Sequence, residues 1–80
     1  MSDQQLLERI VLNPKVMTGK PVIKGTRIPV AVIVEQLAAG ETWDALLKGY
    51  PELSTEDIRA ALQYASVVVE NTEYHEAAVG

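Results

Sequence analysis

The sequence predicts a mainly α-helical protein, a small three-helix bundle that follows a short N-terminal β-ribbon. Three observations predict this fold class. Apolar residues recur at helical spacing in the second half of the chain, Pro and Gly interrupt short β-prone pieces in the first half, and the change falls near Pro29. Eighty residues suffice for one domain. We therefore expect a ribbon arm over residues 8–29, a helical bundle over 30–70 and a frayed tail over 71–80.

Two short apolar runs predict the ribbon. We expect the first strand over Glu8–Leu12, although Leu6-Leu7 could begin a frayed helical turn, and Pro14 disfavours helix at the residue before it. The second strand is expected over Pro21–Lys24, because proline is tolerated at the first position of a strand. Gly25-Thr26 forms a turn. Two strands alone are marginal in water, so they must pack on helices or pair with another chain.

Three helices are predicted after Pro29. The first covers Ala31–Ala39, the second Trp43–Lys48 with Thr42 as its N-cap, and the third extends from its N-cap Ser54 to Glu70. The last two have helix-turn-helix proportions with a somewhat long turn.

The third helix has the clearest pattern. Ser54 lies three residues before Asp57, as in a capping box, and Leu53 and Ile58 occupy the positions of a hydrophobic staple. Apolar residues then recur at helical spacing, which predicts a single buried stripe. The stripe consists of Ile58, Ala61, Leu62, Ala65, Val68 and Val69.

Positive charge is concentrated in one segment. The net charge is −4, yet residues 9–34 hold five basic residues and no acid, whereas residues 35–80 are strongly acidic. Two solvated surfaces would explain this division, and so would a basic arm that meets an anionic partner. The candidate contacts with a partner protein or nucleic acid are Arg9, Lys15, Lys20, Lys24 and Arg27.

The composition excludes several kinds of site. Without Cys there is no disulfide scaffold, no Cys-ligated metal and no thiol nucleophile. His75 lies in the weakly patterned tail, and Glu56-Asp57 fits helix capping better than metal binding. We expect no enzyme activity, no catalytic residue, no metal and no cofactor. With no apolar run of membrane-spanning length and no basic signal-like start, we expect a cytoplasmic protein with no membrane association.

Arg27 is the best single candidate for a protein contact. Gly25 and Thr26 permit a sharp turn before it, and Pro29 stiffens the exit. A fixed arginine can form a bidentate pair with the clustered carboxylates of a metal-dependent ribonuclease. The alternative is that Arg27 pairs with an acid of its own bundle.

Two further sets of residues leave alternatives open. Trp43, Tyr50 and Tyr64 could close the core or anchor a partner. The third helix begins with Thr55-Glu56-Asp57, whose carboxylates suit a DNA groove poorly, so DNA contacts would fall to the basic arm.

Two segments resemble a known family. Residues 13–30, with Asn13-Pro14, Gly19-Lys20-Pro21 and Gly25-Thr26-Arg27-Ile28-Pro29, and residues 50–62 together resemble the domain-of-unknown-function 433 family over about residues 8–66. The resemblance implies a homeodomain-like helix-turn-helix bundle. It also implies a bacterial or archaeal antitoxin role beside a nuclease-like, PIN-related toxin.

These observations together yield a functional hypothesis. We expect the antitoxin of a type II toxin–antitoxin module, a homodimer that binds a nuclease-like toxin, with autoregulatory binding of operator DNA as a candidate second activity. The alternative is a helix-turn-helix transcriptional regulator without a toxin partner.

Overall fold

The computed structural model describes residues 2–12, 14–15 and 19–72. These residues form a mainly helical protein with a short antiparallel sheet near its N-terminus, which confirms the predicted fold class. The elements are α1 (Asp3–Leu7), β1 (Ile10–Leu12), β2 (Pro21–Ile23), α2 (Val30–Ala38), α3 (Trp43–Gly49) and α4 (Thr55–Glu70). His75 and Asn13 lie outside the described residues.

Helix α1 corrects the prediction for the start of the chain, where we expected at most a frayed turn. Ser2 and Gln5 form a reciprocal capping box: the Ser2 hydroxyl accepts from the Gln5 N–H at 3.1 Å, and Gln5 Oε1 accepts from the Ser2 N–H at 2.9 Å. Leu6 is buried and holds the helix on the core. Glu8 is the C-cap of α1, so β1 begins at Ile10 and not at Glu8.

The two strands pair in antiparallel register, with Ile10 opposite Ile23 and Leu12 opposite Pro21. The ladder continues by one bond beyond β1, because the Lys24 N–H donates to the Arg9 carbonyl at 2.7 Å. Each strand has three residues. A ribbon this short needs support from the helices, and β2 receives it from α2.

The three later helices agree with the prediction to within one residue at each end. Helix α2 starts at Val30 because Pro29, in an extended conformation, serves as its N-cap. The Thr42 hydroxyl accepts from the Ala45 N–H at 3.0 Å, as expected for the N-cap of α3. Ser54 caps α4, which ends at Glu70 as predicted.

The core is aliphatic and lies between the ribbon, α2, α3 and the first half of α4. Its buried members are Ile23, Ile28, Val30, Ile33, Leu46, Leu53, Ile58 and Ala61, and Tyr50 and Tyr64 pack against its edge. The two tyrosines therefore close the core. The Tyr50 hydroxyl also accepts from Gln36 Nε2 at 3.0 Å.

The predicted apolar stripe of α4 is buried only in part. Ile58 and Ala61 are fully buried, but the exposed fractions of Leu62, Val68 and Val69 are 38%, 45% and 72%. The 16-residue α4 is about 24 Å long and the nine-residue α2 about 13 Å, so α2 can cover at most little more than half of it. The expectation of one buried stripe is wrong beyond Ala61.

Asp57 joins the N-terminal segment to α4. Its Oδ1 accepts from Arg9 Nη1 at 2.9 Å, and its Oδ2 accepts from the Ser54 N–H at 3.0 Å. The Asp57 N–H in turn donates to the Ser54 hydroxyl at 3.2 Å, which completes the predicted capping box. With only 7% of its surface exposed, Asp57 is the one buried charged residue in the described part of the chain.

Replacing Asp57 should weaken the fold more than replacing its neighbour. We expect Asp57→Ala to lower the free energy of unfolding by about 2 kcal/mol, because it removes the N-cap partner and leaves Arg9 unpaired. The half-buried Glu56 is the matched control, and Glu56→Ala should cost less than about 0.5 kcal/mol. Urea unfolding followed by circular dichroism measures both, and equal losses would contradict the role given to Asp57.

Candidate functional site

A tight loop between β2 and α2 presents Arg27. We call residues 24–27 the arginine loop. The two residues that flank it are hydrogen-bonded to each other: the Ile23 N–H donates to the Ile28 carbonyl at 3.0 Å. Inside it, the Thr26 N–H donates to the Ile23 carbonyl at 3.0 Å, which closes a β-turn. Gly25 occupies the third position of that turn with φ of +82°, a value that favours glycine.

The Thr26 side chain holds the second half of the loop. Its hydroxyl donates to the Ile23 carbonyl at 2.8 Å and accepts from the Ile28 N–H at 3.0 Å. Arg27 lies between Thr26 and Ile28, which are hydrogen-bonded in this way, so its backbone is fixed on both sides. The sequence indicated a turn at Gly25-Thr26, but it gave no sign that the Thr26 hydroxyl would bridge it.

The arginine loop is also anchored in the core. Ile23 and Ile28, which flank it, are 0% and 7% exposed. Beyond them, Val22 and Pro29 form an isolated antiparallel bridge, so the chain leaving the loop lies beside β2. Pro29 is thus held beside β2 where the chain leaves the loop, and the loop projects from the hydrophobic interior.

The five basic residues of the arm do not all share one environment. Lys20, Lys24 and Arg27 are exposed and make no ion pair with any residue that the structure describes. The alternative that Arg27 pairs with an acid of its own bundle is therefore not what the described residues show. Lys15 is exposed and lies apart from the loop, in the segment between the two strands.

Arg9 requires a correction, because we expected a cation available to a partner. Its guanidinium forms the salt bridge with Asp57, and 36% of its side chain is exposed. No sequence pattern could have indicated this pair, since 48 residues separate its members. Lys24 and Arg27 on the arginine loop remain as candidate contacts, and Lys20 remains as a candidate at the other end of β2.

A cleft of about 410 Å³ lies beside the Arg9–Asp57 pair. Glu8 and Lys24 also line it, together with Gln5. Two acids and two bases leave the cleft without net charge, so it does not concentrate an anion. Of its lining residues, sequence reasoning assigned only Arg9 and Lys24 to a partner site.

The remaining motif residues shape the chain around the ribbon. Pro21 opens β2 opposite Leu12, at the strand position where a proline is tolerated. Gly19 has φ of +84°, and a Cβ there would lie 4.0 Å from the Pro14 Cα. Pro14 and Gly19 therefore approach each other at the base of the segment between the strands.

Two other candidates can be placed as well. Trp43, at the first position of α3, is 36% exposed and so belongs only in part to the core. Among the described residues no group of three or more His, Cys, Asp or Glu side chains could hold a metal ion. No helix in the described ranges is long and apolar enough to cross a membrane.

These features define a class: small, mainly helical proteins that present a basic, hydrogen-bonded loop beside a two-stranded ribbon. The chain belongs to the DUF433 family of proteins of unknown function, whose family model matches residues 10–65.

Two uncharacterized proteins are similar to parts of this sequence. The uncharacterized protein y4eO of Sinorhizobium fredii is 38% identical over 58 residues, which are 72% of this chain and 26% of that protein. An uncharacterized protein of Archaeoglobus fulgidus is 75% identical over 24 residues, 30% of this chain and 67% of its own. This chain thus spans about a quarter of the length of the Sinorhizobium protein.

A solved structure shares the fold. The crystal structure of a DUF433 member protein from Anabaena variabilis superposes with a TM-score of 0.74 at 37% sequence identity. The match covers 84% of this chain and 66% of that chain.

The turn geometry predicts opposite effects for two glycine substitutions. Gly25→Ala should lower the free energy of unfolding by about 1 kcal/mol, because alanine is strained at positive φ. Gly49, at the end of α3, is the control: neither glycine has an atom within 4 Å of an added Cβ. Gly49→Ala should raise stability by about 0.5 kcal/mol. Thermal unfolding measures both, and a stabilising Gly25→Ala would contradict the turn.

Proposed function

We propose that this chain is an antitoxin-like interaction module, and that its arginine loop binds the acidic active site of a nuclease-like, PIN-related toxin. One observation carries the proposal. Arg27 is exposed and without an ion pair in the described part of the chain, although its backbone is fixed by hydrogen bonds and by buried neighbours on both sides.

A fixed arginine suits a carboxylate cluster for two physical reasons. The guanidinium presents its N–H donors in a planar fork, so it can bind two carboxylate oxygens at once. The rigid loop also reduces the conformational entropy lost on binding, because its backbone is already ordered. In an active site that needs a divalent metal, such a cation would compete with the metal for the same oxygens.

The distribution of charge over the molecule also supports binding through the arginine loop. Lys24 belongs to the same loop as Arg27, and Lys20 precedes β2 at the other end of that strand, so both add positive charge to the ribbon. The helices carry exposed acids, which an acidic partner surface would repel. Examples are Glu35, Glu41, Asp44 and Glu52. The ribbon and its arginine loop are therefore the part of the molecule that attracts an acidic surface of the toxin.

Operator DNA fits α4 less well. Helices α3 and α4 are joined by residues 50–54, a longer turn than in compact DNA-binding pairs. Asp57 faces inward toward Arg9, so it does not oppose a phosphate, yet Arg59 is the only basic residue on α4. A single arginine contributes little to groove binding, where several phosphate and base contacts are needed.

The test uses the nuclease-like protein encoded by the adjacent gene, purified and assayed on a generic RNA. The wild-type chain should inhibit its ribonuclease activity, and Arg27→Ala should weaken the inhibition at least about tenfold, because a buried charge pair is lost. Lys48→Ala removes an exposed cation of α3 and is the matched control; it should inhibit as wild type does. Calorimetry of the complex gives the same comparison as a dissociation constant.

Three outcomes would contradict the proposal. The adjacent gene could encode no nuclease, the chain could fail to inhibit it, or Arg27→Ala could inhibit as well as wild type. Binding to its own promoter DNA, with affinity that falls steeply with salt and no inhibition of the nuclease, would instead support the regulator without a toxin.

A further inference from the structure

We propose that the outer face of α4 is a self-association surface, on which a second copy of the chain packs its own α4 in antiparallel orientation. The surface, which we call the α4 seam, consists of Leu62, Ser66 and Val69. It does not depend on the arginine loop, and it stands or falls separately from the proposed antitoxin function.

The seam follows from helix geometry and exposure. Leu62, Ser66 and Val69 are four and three residues apart, so they lie on one face of α4. All three are exposed, and Val69 has 72% of its surface free. Leu12, on the ribbon, is the only other described large apolar residue exposed above 50%.

A groove of about 350 Å³ lies at the Leu62 end of the seam. The apolar side chains of Leu6, Trp43 and Leu62 line it together with polar groups of α1 and α4. These polar residues are Asp3, Arg59 and Gln63. Trp43 and Leu62, which are both partly exposed, therefore line the same depression. They do not occupy unrelated positions on the surface.

The seam is complementary to itself. In an antiparallel pair centred between Ala65 and Ser66, Val69 of each copy lies opposite Leu62 of the other. The protruding Val69 then enters the groove of the other copy, and the two-fold symmetry makes this contact twice. A helix face that has the projection at one end and the groove at the other fits a second copy of itself.

Two charged residues at the edge of the seam also favour the antiparallel pair. Arg59 precedes Leu62 by three residues and Glu70 follows Val69 by one, and both lie on the same edge of the seam. In the antiparallel pair they come to within about 3 Å of each other along the helix axis, at 1.5 Å per residue, which is within reach of the arginine. A parallel pair would place the Arg59 and Glu70 edges of the two copies on opposite sides of the contact, so this pairing would not form. Neither residue has an ion pair among the described residues that would compete.

The seam is short, so the dimer should be weak. Each copy contributes about two helical turns and one groove. The interface therefore lies at the low end of the size range of protein–protein interfaces, where association is transient. We therefore expect an equilibrium between monomer and dimer that shifts with protein concentration.

Sedimentation equilibrium on the full chain, from about 10 μM to about 1 mM, tests the proposal. The mean mass of the wild type should rise from that of a monomer toward that of a dimer. Val69→Glu should raise the dissociation constant at least about tenfold, because it replaces the apolar contact of Val69 with Leu62 of the other copy by a carboxylate against that leucine. Leu12→Glu is the matched control, an equally drastic change at an exposed apolar residue of the ribbon, and should dimerise as wild type does.

A charge reversal distinguishes the antiparallel seam from other contacts. Arg59→Glu and Glu70→Arg should each weaken the dimer, and the double variant should restore the wild-type dissociation constant to within about twofold. A wild type that stays monomeric throughout the range, a Val69→Glu variant that dimerises normally, or a double variant that stays as weak as the single ones would overturn the proposal. If the Val69→Glu variant inhibits the toxin as well as the wild type does, the α4 seam and the arginine loop are independent surfaces.

Discussion

One carboxylate, that of Asp57, connects the two halves of this protein. One oxygen caps α4 through Ser54 and the other binds Arg9, which comes directly before the ribbon. The N-terminal segment is thereby held against the start of α4, where α1 also packs. A buried acid is costly unless it is hydrogen-bonded and paired, and the capping geometry together with the guanidinium meets both requirements. The ribbon depends on this connection as well as on its packing against α2, because two short strands are too small to hold their own position.

The same pair decides which cations are available to a partner. Arg9 is used internally, so the basic arm reduces to Lys20, Lys24 and Arg27. Arg27 lies between two hydrogen-bonded residues of the arginine loop, because Gly25 allows the turn and the Thr26 hydroxyl bridges Ile23 and Ile28. The loop is thus stabilised from the core outward: buried isoleucines fix its ends, hydrogen bonds fix its path, and the charged group projects into solvent. Because its backbone is already ordered, Arg27 can bind a carboxylate cluster with little further loss of conformational entropy.

Helix α4 is longer than the core that it covers, and this difference creates a second surface. The packed half contributes Ile58 and Ala61, and the remaining half continues the apolar pattern into solvent through Val68 and Val69. A sequence with no other use for these valines would be expected to place polar residues there. The arginine loop and the α4 seam belong to different elements, so one molecule can present both at the same time.

The sequence by itself determined the class of fold, the bounds of α2, α3 and α4, the Ser54 cap and the turn at Gly25-Thr26. These features depend on local spacing, capping side chains and backbone preferences, which a linear pattern records. Helix α1 was also within reach, since Ser2 and Gln5 have the spacing of a capping box, but five residues are too few for periodicity to reveal. Only the tertiary structure decided that Arg9 binds Asp57, that the Thr26 hydroxyl joins Ile23 to Ile28, and that the apolar stripe of α4 emerges into solvent. The first contact spans 48 residues of sequence, the second depends on the path of a loop, and the third depends on how far the neighbouring helix extends. Spacing along a single chain contains none of this information, because it arises only when the elements pack.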